Sequence, residues 1–181
     1  VDPNKVLVLG DEDNFWQMGD TGPCGPCSEI YYDLGDKYVG ELPSIGDPKD
    51  RYIEIWNLVF TQYNKNEQGL LEELPQKWVD TGMGLERVQA IVEGLSDNYE
   101  STLFAKLSNF IDKKIKLDKK SLHVKKILLD HIRACCHLIS DNVIPDREGR
   151  GYVLRRILRR SSRFIYKFNI KEPFLYQCAE L

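Results

Sequence analysis

The stretch Val79-Asp80-Thr81-Gly82-Met83-Gly84-Leu85-Glu86-Arg87-Val88 is where this 181-residue chain changes its hydrophobic period. Before it, β-branched and aromatic residues alternate in short runs broken by Gly, Pro and Asp, the pattern of strands and turns. After it, apolar residues recur every three or four positions, the pattern of helices. A chain that places its strands first and its helices afterwards is expected to fold as α+β.

The junction itself carries chemistry. Gly82 and Gly84 have no Cβ, so a phosphate or ribose can approach the main chain there. The helix that follows offers free N–H groups at its start, and Arg87, one turn in, can fork onto phosphate oxygens. Asp80 suits a turn or helix cap, and beside a phosphate-binding turn it also suits a substrate ammonium. Short glycine motifs are weak signals, so a plain glycine turn with a surface arginine stands as the alternative.

In chain order, Lys5–Leu9 reads as a short strand, and Asp11–Gly25 as a structured loop carrying Trp16 and Met18 inward. Trp16 is either a core aromatic or the wall of a site. Ser28–Asp33 reads as a strand with Ile30 and Tyr32 on one face, Glu29 and Tyr31 on the other. Leu34–Asp50 reads as a loop. Arg51–Asn64 is the longest strand candidate, apolar on both faces, and is therefore expected to be central and covered on both sides. A buried Asn57 within it needs partners, either neighbouring backbone or a bound ligand. Val59, two residues along, limits the space beside it. Asn64–Gly69 reads as a hairpin turn, with short strands Leu70–Leu74 and Lys77–Thr81 around Pro75.

Helices are expected over Gly84–Glu93, Asn98–Lys114, Ser121–Asp141 and Arg150–Lys167, with a further helix start at Glu172–Leu181. His131 falls on the buried stripe of the third and reads as a core histidine. On the fourth, at about 100° per residue, Arg155, Arg156, Arg159, Arg160 and Arg163 share one face. Val153, Leu154, Ile157, Leu158, Ser161, Phe164 and Ile165 share the other. From Arg147 to Lys171 nine basic residues stand against one acid, a net of +8, while the rest of the chain carries −11 of an overall −3. Such a face is either a solvated surface or a grip on a phosphate backbone, and the lack of intervening acids favours the phosphates.

The five cysteines include a C-x-x-C at Cys24 and Cys27. No second paired motif completes a zinc set, so no zinc is expected in this chain, and the thiols read as reduced and packed in an intracellular setting, cytoplasmic or organellar. No apolar run reaches the roughly 18 residues of a membrane span. Val1-Asp2-Pro3-Asn4 has neither an initiating Met nor a basic leader, and the chain reads as a piece of something longer.

Four blocks in order resemble the alanyl-tRNA synthetase family of class II aminoacyl-tRNA synthetases. They are Asn14–Ile30 (NFWQMGDTGPCGPCSEI), Glu54–Phe60 (EIWNLVF), Asp80–Arg87, which is similar to motif 3, and Gly149–Arg156 (GRGYVLRR). The resemblance implies an antiparallel class II catalytic sheet, in its later part, over residues 1–94. It implies a helical domain that docks the tRNA acceptor stem over 95–181. It also implies an ATP-dependent ligase that joins alanine to tRNA through an alanyl-adenylate. By the same resemblance, Trp16, Asn57, Val59, Asp80 and Gly82 border the amino acid. Trp16, the backbone of Ile55, Trp56 and Asn57, Gly84 and Arg87 border ATP, with Arg87 on the γ-phosphate as the catalytic residue. Glu54 and Asn57 match an E-x-x-N spacing for ATP-bound Mg²⁺, which needs a β-bulge or a water link, because residues three apart on a regular strand face opposite ways. The five arginines bind tRNA, and Arg160 reads a base edge. Motif 1, motif 2 and the zinc-holding editing domain have no counterpart here, so the chain by itself is expected to be inactive. Trp78 departs from the small residue expected before Val79 and sets a bulky ring at the entrance to motif 3. The rival reading is a non-catalytic RNA-binding fragment that grips acceptor stems through the arginine helix.

Overall fold

The computed structural model of the protein describes residues 2–42, 48 and 50–181, so the loop expected over Leu34–Asp50 lies partly outside the described residues. The chain divides into two compact units, Val1–Val88 and Gln89–Leu181.

The first unit is a four-stranded antiparallel sheet in the order β1 (Phe15–Gln17), β2 (Gly22–Asp33), β3 (Tyr52–Lys65), β4 (Leu71–Met83). Sequence neighbours are sheet neighbours, so each pairing needs only a local connection. At the β3–β4 turn, Asn66 Oδ1 accepts from the N–H of Gln68 and of Leu70, both at 3.0 Å, the side-chain chemistry that favours Asn in turns. At the open end of β2 and β3, Arg51 forks onto Asp33, Nε to Oδ1 at 2.7 Å and Nη2 to Oδ2 at 3.0 Å. That hydrogen bonding holds the Asp33 carboxyl down to about 2.

Several expectations are revised. Lys5–Leu9 is not a strand. Pro3–Lys5 is a 3₁₀ turn capped by Asp2, and Val6 and Val8 are exposed. Strand propensity without a partner strand does not make a strand. Asp11–Gly25 is not one loop; it holds the single-turn helix α1 (Asp11–Asn14), β1 and the start of β2, and Met18 points out rather than in. The Gly-Pro-Cys repeats belong to β2. There Gly25 lies so close to β3 that a Cβ would stand 1.9 Å from the Phe60 carbonyl oxygen. β4 is continuous through Pro75, because the register slips between Tyr63↔Glu73 and Thr61↔Trp78 and the imide, with no N–H to give, falls inside the irregularity. β3 is central in order but not covered in depth: Thr61 alone is buried and its other residues are half-buried.

Helix α2 (Leu85–Val92) starts from Gly84, whose carbonyl accepts from Val88, and ends on Gly94 in the left-handed region at φ 72°. The division between units falls within it. The second unit is helical, with α3 (Ala105–Lys114), α4 (Leu122–Ser140) and α5 (Gly149–Lys167). The helix expected from Asn98 is in pieces. Two 3₁₀ turns, Asn98–Glu100 and Thr102–Phe104, precede α3, and between them the buried Ser101 hydroxyl bonds back to the Asn98 carbonyl at 2.7 Å. Glu172–Leu181 holds a 3₁₀ helix, Leu175–Glu180, which seats Cys178 in the core, with Phe174 buried just before it.

That core is built from Phe104, Ile111, Ile115, Val124, Leu128, Leu129, Ile132 and Ile165, with Cys135, Val143 and Leu154 in a second cluster. Burying each large aliphatic side chain contributes about 1.5–3 kcal/mol. α5 turns Gly151, Leu154, Ser161 and Ile165 inward. Val153, expected on that stripe, is partly exposed. A Cβ on Gly151 would stand 2.5 Å from the Ile144 carbonyl oxygen, so the preceding loop packs directly on the helix backbone.

Candidate functional site

Antiparallel partners project to the same face of a sheet, so register decides which side chains meet. In the first unit Glu29 stands opposite Asn57 and Asn57 opposite Gly82; in the next row Cys27 stands opposite Val59 and Val59 opposite Asp80. Asn57, Val59, Asp80 and Gly82, named separately from sequence, therefore share one face of β3 and β4. Trp16 pairs with Gly25 on the far strand and is half-buried. Asp80 is exposed, and its Oδ1 accepts from the N–H of Thr81 at 2.8 Å. Trp78 lies two residues before Asp80 on the same side of β4 and is itself about half exposed, so it flanks the face without closing it.

Glu54 joins this face through a bulge. Ile30 pairs with Trp56 but Tyr31 pairs with Glu54, so Ile55 is an extra residue on β3. The insertion reverses the alternation and brings Glu54 to the side of Asn57 and Tyr31. Arg87 then reaches it: Nη1 donates to the Glu54 carbonyl at 2.6 Å and lies 3.7 Å from the carboxylate. The Gly84 N–H donates to the Ile55 carbonyl at 3.0 Å, and the Arg87 stem packs where a Gly84 side chain would begin. Trp56 faces the other way, its indole N–H donating to the Thr81 hydroxyl, so only its backbone borders the Asn57 side.

Two residues of this face escaped the sequence reading. Glu29 Oε1 accepts from Asn57 Nδ2 at 3.3 Å, and Glu29 Oε2 accepts from the Tyr31 hydroxyl at 2.8 Å. Burial, and then the bond to Glu29, push the Tyr31 phenol well up from its ordinary range, so it stays a donor. The other end of the Asn57 amide, Oδ1, is buried and has no partner among the described residues. Burying a polar atom unpaired costs about 1–3 kcal/mol, which marks the place where a donor belongs. Alternation had put Glu29 and Tyr31 together; that they lie against Asn57 depends on strand register.

In the second unit, Arg155, Arg156, Arg159, Arg160 and Arg163 line a groove of about 750 Å³ with Arg147, Lys167, Tyr152 and Phe164. Its lining holds seven cations and no acid. Two arginines stack on aromatic rings, Arg156 over Tyr152 and Arg160 over Phe164, each at 5.8 Å. Arg147 and Lys167 belong to the basic stretch counted from sequence though not to the arginine face of the wheel, and Tyr152 was given no role there. His131 is buried, with Nδ1 2.8 Å from Asp130 Oδ2 and Nε2 3.2 Å from Arg160 Nη1. It is a satisfied histidine that touches the arginine face.

Cys24 and Cys27 are buried free thiols on β2. The pairing of β2 with β3 shifts register between them. Burial, followed by the Glu29 carboxylate, raises the Cys27 thiol above its ordinary range. Among the described residues no group of three or more His, Cys, Asp or Glu side chains gathers as a metal site, and no helix is long and apolar enough to cross a membrane.

Comparison with known proteins adds to this geometry. The family model described as tRNA synthetases class II (A) matches residues 1–181. An alanine–tRNA ligase from Nitrosomonas europaea is 52% identical over 177 residues, 97% of this chain and 20% of that protein. One from Nitrosospira multiformis is 50% identical over 183 residues, covering 99% and 21%. One from Halorhodospira halophila is 49% identical over 181 residues, with the same coverage. The chain thus spans about a fifth of the length of the curated relatives it matches. Matched from end to end by the family model, the chain belongs to the class II tRNA synthetases, in the group whose curated relatives are alanine–tRNA ligases.

Proposed function

We propose that this chain carries the amino-acid and ATP-binding face, and the acceptor-stem-binding helix, of an alanine–tRNA ligase. In the first step the alanine carboxylate attacks the α-phosphorus of ATP, giving alanyl-adenylate and releasing pyrophosphate. In the second, a 3′-terminal ribose hydroxyl of tRNA attacks the alanyl carbonyl and AMP leaves. No protein nucleophile is required; the protein positions the reactants and neutralises charge at phosphorus.

Asp80 and Asn57 take the alanine ammonium, Val59 and Trp16 bound the space for its methyl group, and Gly82 keeps the approach free of a side chain. The backbone of Ile55–Asn57 and Gly84 borders the nucleotide, and Arg87 binds the γ-phosphate. Mg²⁺, when bound to the nucleotide, neutralises phosphate charge. A carboxylate at Glu54, brought by the bulge to the Asn57 side and set beside Arg87, suits that hard cation. The arginine groove takes the phosphates of the acceptor stem. The cytoplasmic setting belongs to the same proposal.

The observation that carries the reading is the buried, unpartnered Asn57 Oδ1, whose residue shares a sheet face with the Asp80 carboxylate. Together they offer acceptors and no donor, as an ammonium requires. Asp80→Asn in the full-length protein keeps the shape and removes the charge. Losing a charge-assisted bond is expected to weaken alanine by about 1.5–3 kcal/mol with little change in the KM for ATP. An unchanged alanine KM beside a raised ATP KM would assign Asp80 elsewhere. The arginine groove favours a second reading, a non-catalytic RNA-binding module. Alanine-dependent ATP–pyrophosphate exchange by the full-length protein separates the two: exchange at background with acceptor-stem binding retained replaces the first reading by the second.

A further inference from the structure

We propose that Glu29 is a positioning residue of the amino-acid site, orienting the Asn57 amide so that its oxygen, not its nitrogen, faces the ligand. The inference rests on reading this sheet face as the alanine site. A primary amide has a donor end and an acceptor end of nearly equal shape, so its orientation must be chosen by a neighbour. A carboxylate only accepts. Glu29 stands directly opposite Asn57 in the β2–β3 register, with Oε1 3.3 Å from Asn57 Nδ2. The flipped amide would set two oxygens against each other in a half-buried position.

Glu29 is itself held. Its second oxygen accepts from the Tyr31 hydroxyl at 2.8 Å, two residues along the same strand face. Both hydrogen bonds therefore end on Glu29, one from Tyr31 and one from Asn57, and the free end of the assembly is the Asn57 carbonyl oxygen, buried and without a partner among the described residues. On its other side Asn57 faces Gly82, where even an added Cβ would meet nothing within 4 Å. The ligand enters over that gap and finds an acceptor whose polarity is already set. An ammonium satisfies it, and a carboxylate or carbonyl oxygen is turned away. Glu29 thus acts on substrate orientation through Asn57, without touching the reacting atoms.

The test is a double-mutant cycle in the full-length protein, read by alanine-dependent ATP–pyrophosphate exchange. Glu29→Gln keeps the size and lets the Asn57 amide turn either way. It is expected to raise the alanine KM about three- to tenfold while leaving kcat and the KM for ATP near wild type, the signature of lost ground-state binding. In an Asn57→Ala background the same change is expected to do nothing further, because there is no amide left to orient. A purely structural Glu29 would give equal effects in both backgrounds, and that result, or an unchanged alanine KM in the single variant, overturns the proposal. If Glu29→Gln does not fold, Tyr31→Phe carries the test. Freeing one Glu29 oxygen is expected to raise the alanine KM about two- to threefold, again only when Asn57 is present. No rise, or a rise that survives in Asn57→Ala, overturns it equally. Asn57→Ala by itself keeps the two readings apart. If it leaves the alanine KM unchanged, the face is not the alanine site; if it raises the KM and Glu29→Gln does not, the site stands and the positioning role falls.

Discussion

Arg160 differs from the other arginines of its groove by what holds it. Among the described residues, Arg155, Arg156, Arg159 and Arg163 make no side-chain hydrogen bond, whereas Arg160 Nη1 lies 3.2 Å from His131 Nε2 with its guanidinium over Phe164. Asp130 beside Nδ1 takes the imidazole N–H, which leaves Nε2 as an acceptor. A pinned guanidinium loses less freedom on binding and presents its remaining donors in one direction, which suits a base edge better than a phosphate. Arg160→Gln is therefore expected to erase discrimination between a cognate acceptor stem and one with an altered base pair. Arg163→Gln is expected to weaken both RNAs alike. Anisotropy titrations of the two stems with each variant read this directly, and parallel losses for Arg160→Gln would return it to the phosphate contacts.

At the scale of elements, β3 and α5 illustrate two kinds of information. The arginine face of α5 follows from local spacing, since the helical period is set by backbone hydrogen bonds within the segment. All five arginines named from the wheel line the groove. Arg156 and Arg163, joined by Arg160 if it too meets a phosphate, are sites of counterion release, and replacing all three together by Gln keeps helix propensity. The slope of log K against log salt for duplex acceptor-stem RNA is then expected to shrink by about two to three units. Adenylate formation in the full-length protein is expected to persist. An unchanged slope would make the arginines a solvated surface. On β3, by contrast, spacing alone set Glu54 and Asn57 on opposite faces, and the single extra residue at Ile55 brings them together. Glu29 reaches Asn57 only because β2 pairs in that register. A two-residue period is inverted by a one-residue slip, so such neighbours cannot be read along one strand.

For the whole molecule, the two units are unlike in what stabilises them. The helical unit holds the large apolar clusters, with Leu128 and Leu154 fully buried, while among the described residues the buried side chains of the sheet unit are few and small, chiefly Cys24, Cys27 and Thr61. Hydrogen exchange on this chain is expected to follow: the α4 amides around Leu128–Ile132 the slowest, and those of the exposed edge strand β4 faster by orders of magnitude. Equal protection of β4 and α4 would show that the sheet draws its stability from something other than buried apolar area. Sequence by itself determined the α+β order, the extents of β3, α4 and α5 to within a residue at each end, a turn within Asn64–Gly69, and the identities of Asn57, Val59, Asp80 and the α5 arginines as site candidates. Each of these rests on periods and turn chemistry that act within a few residues. Tertiary structure decided that Lys5–Leu9 forms no strand, that Gly-Pro-Cys lies within one, and that Glu54 joins the Asn57 face. It also decided that Glu29 lies against Asn57, and that His131 reaches Arg160. All of these depend on which distant segment lies opposite, and hydrogen-bond register between strands and the packing of one helix on another are properties of pairs of segments that no single segment contains.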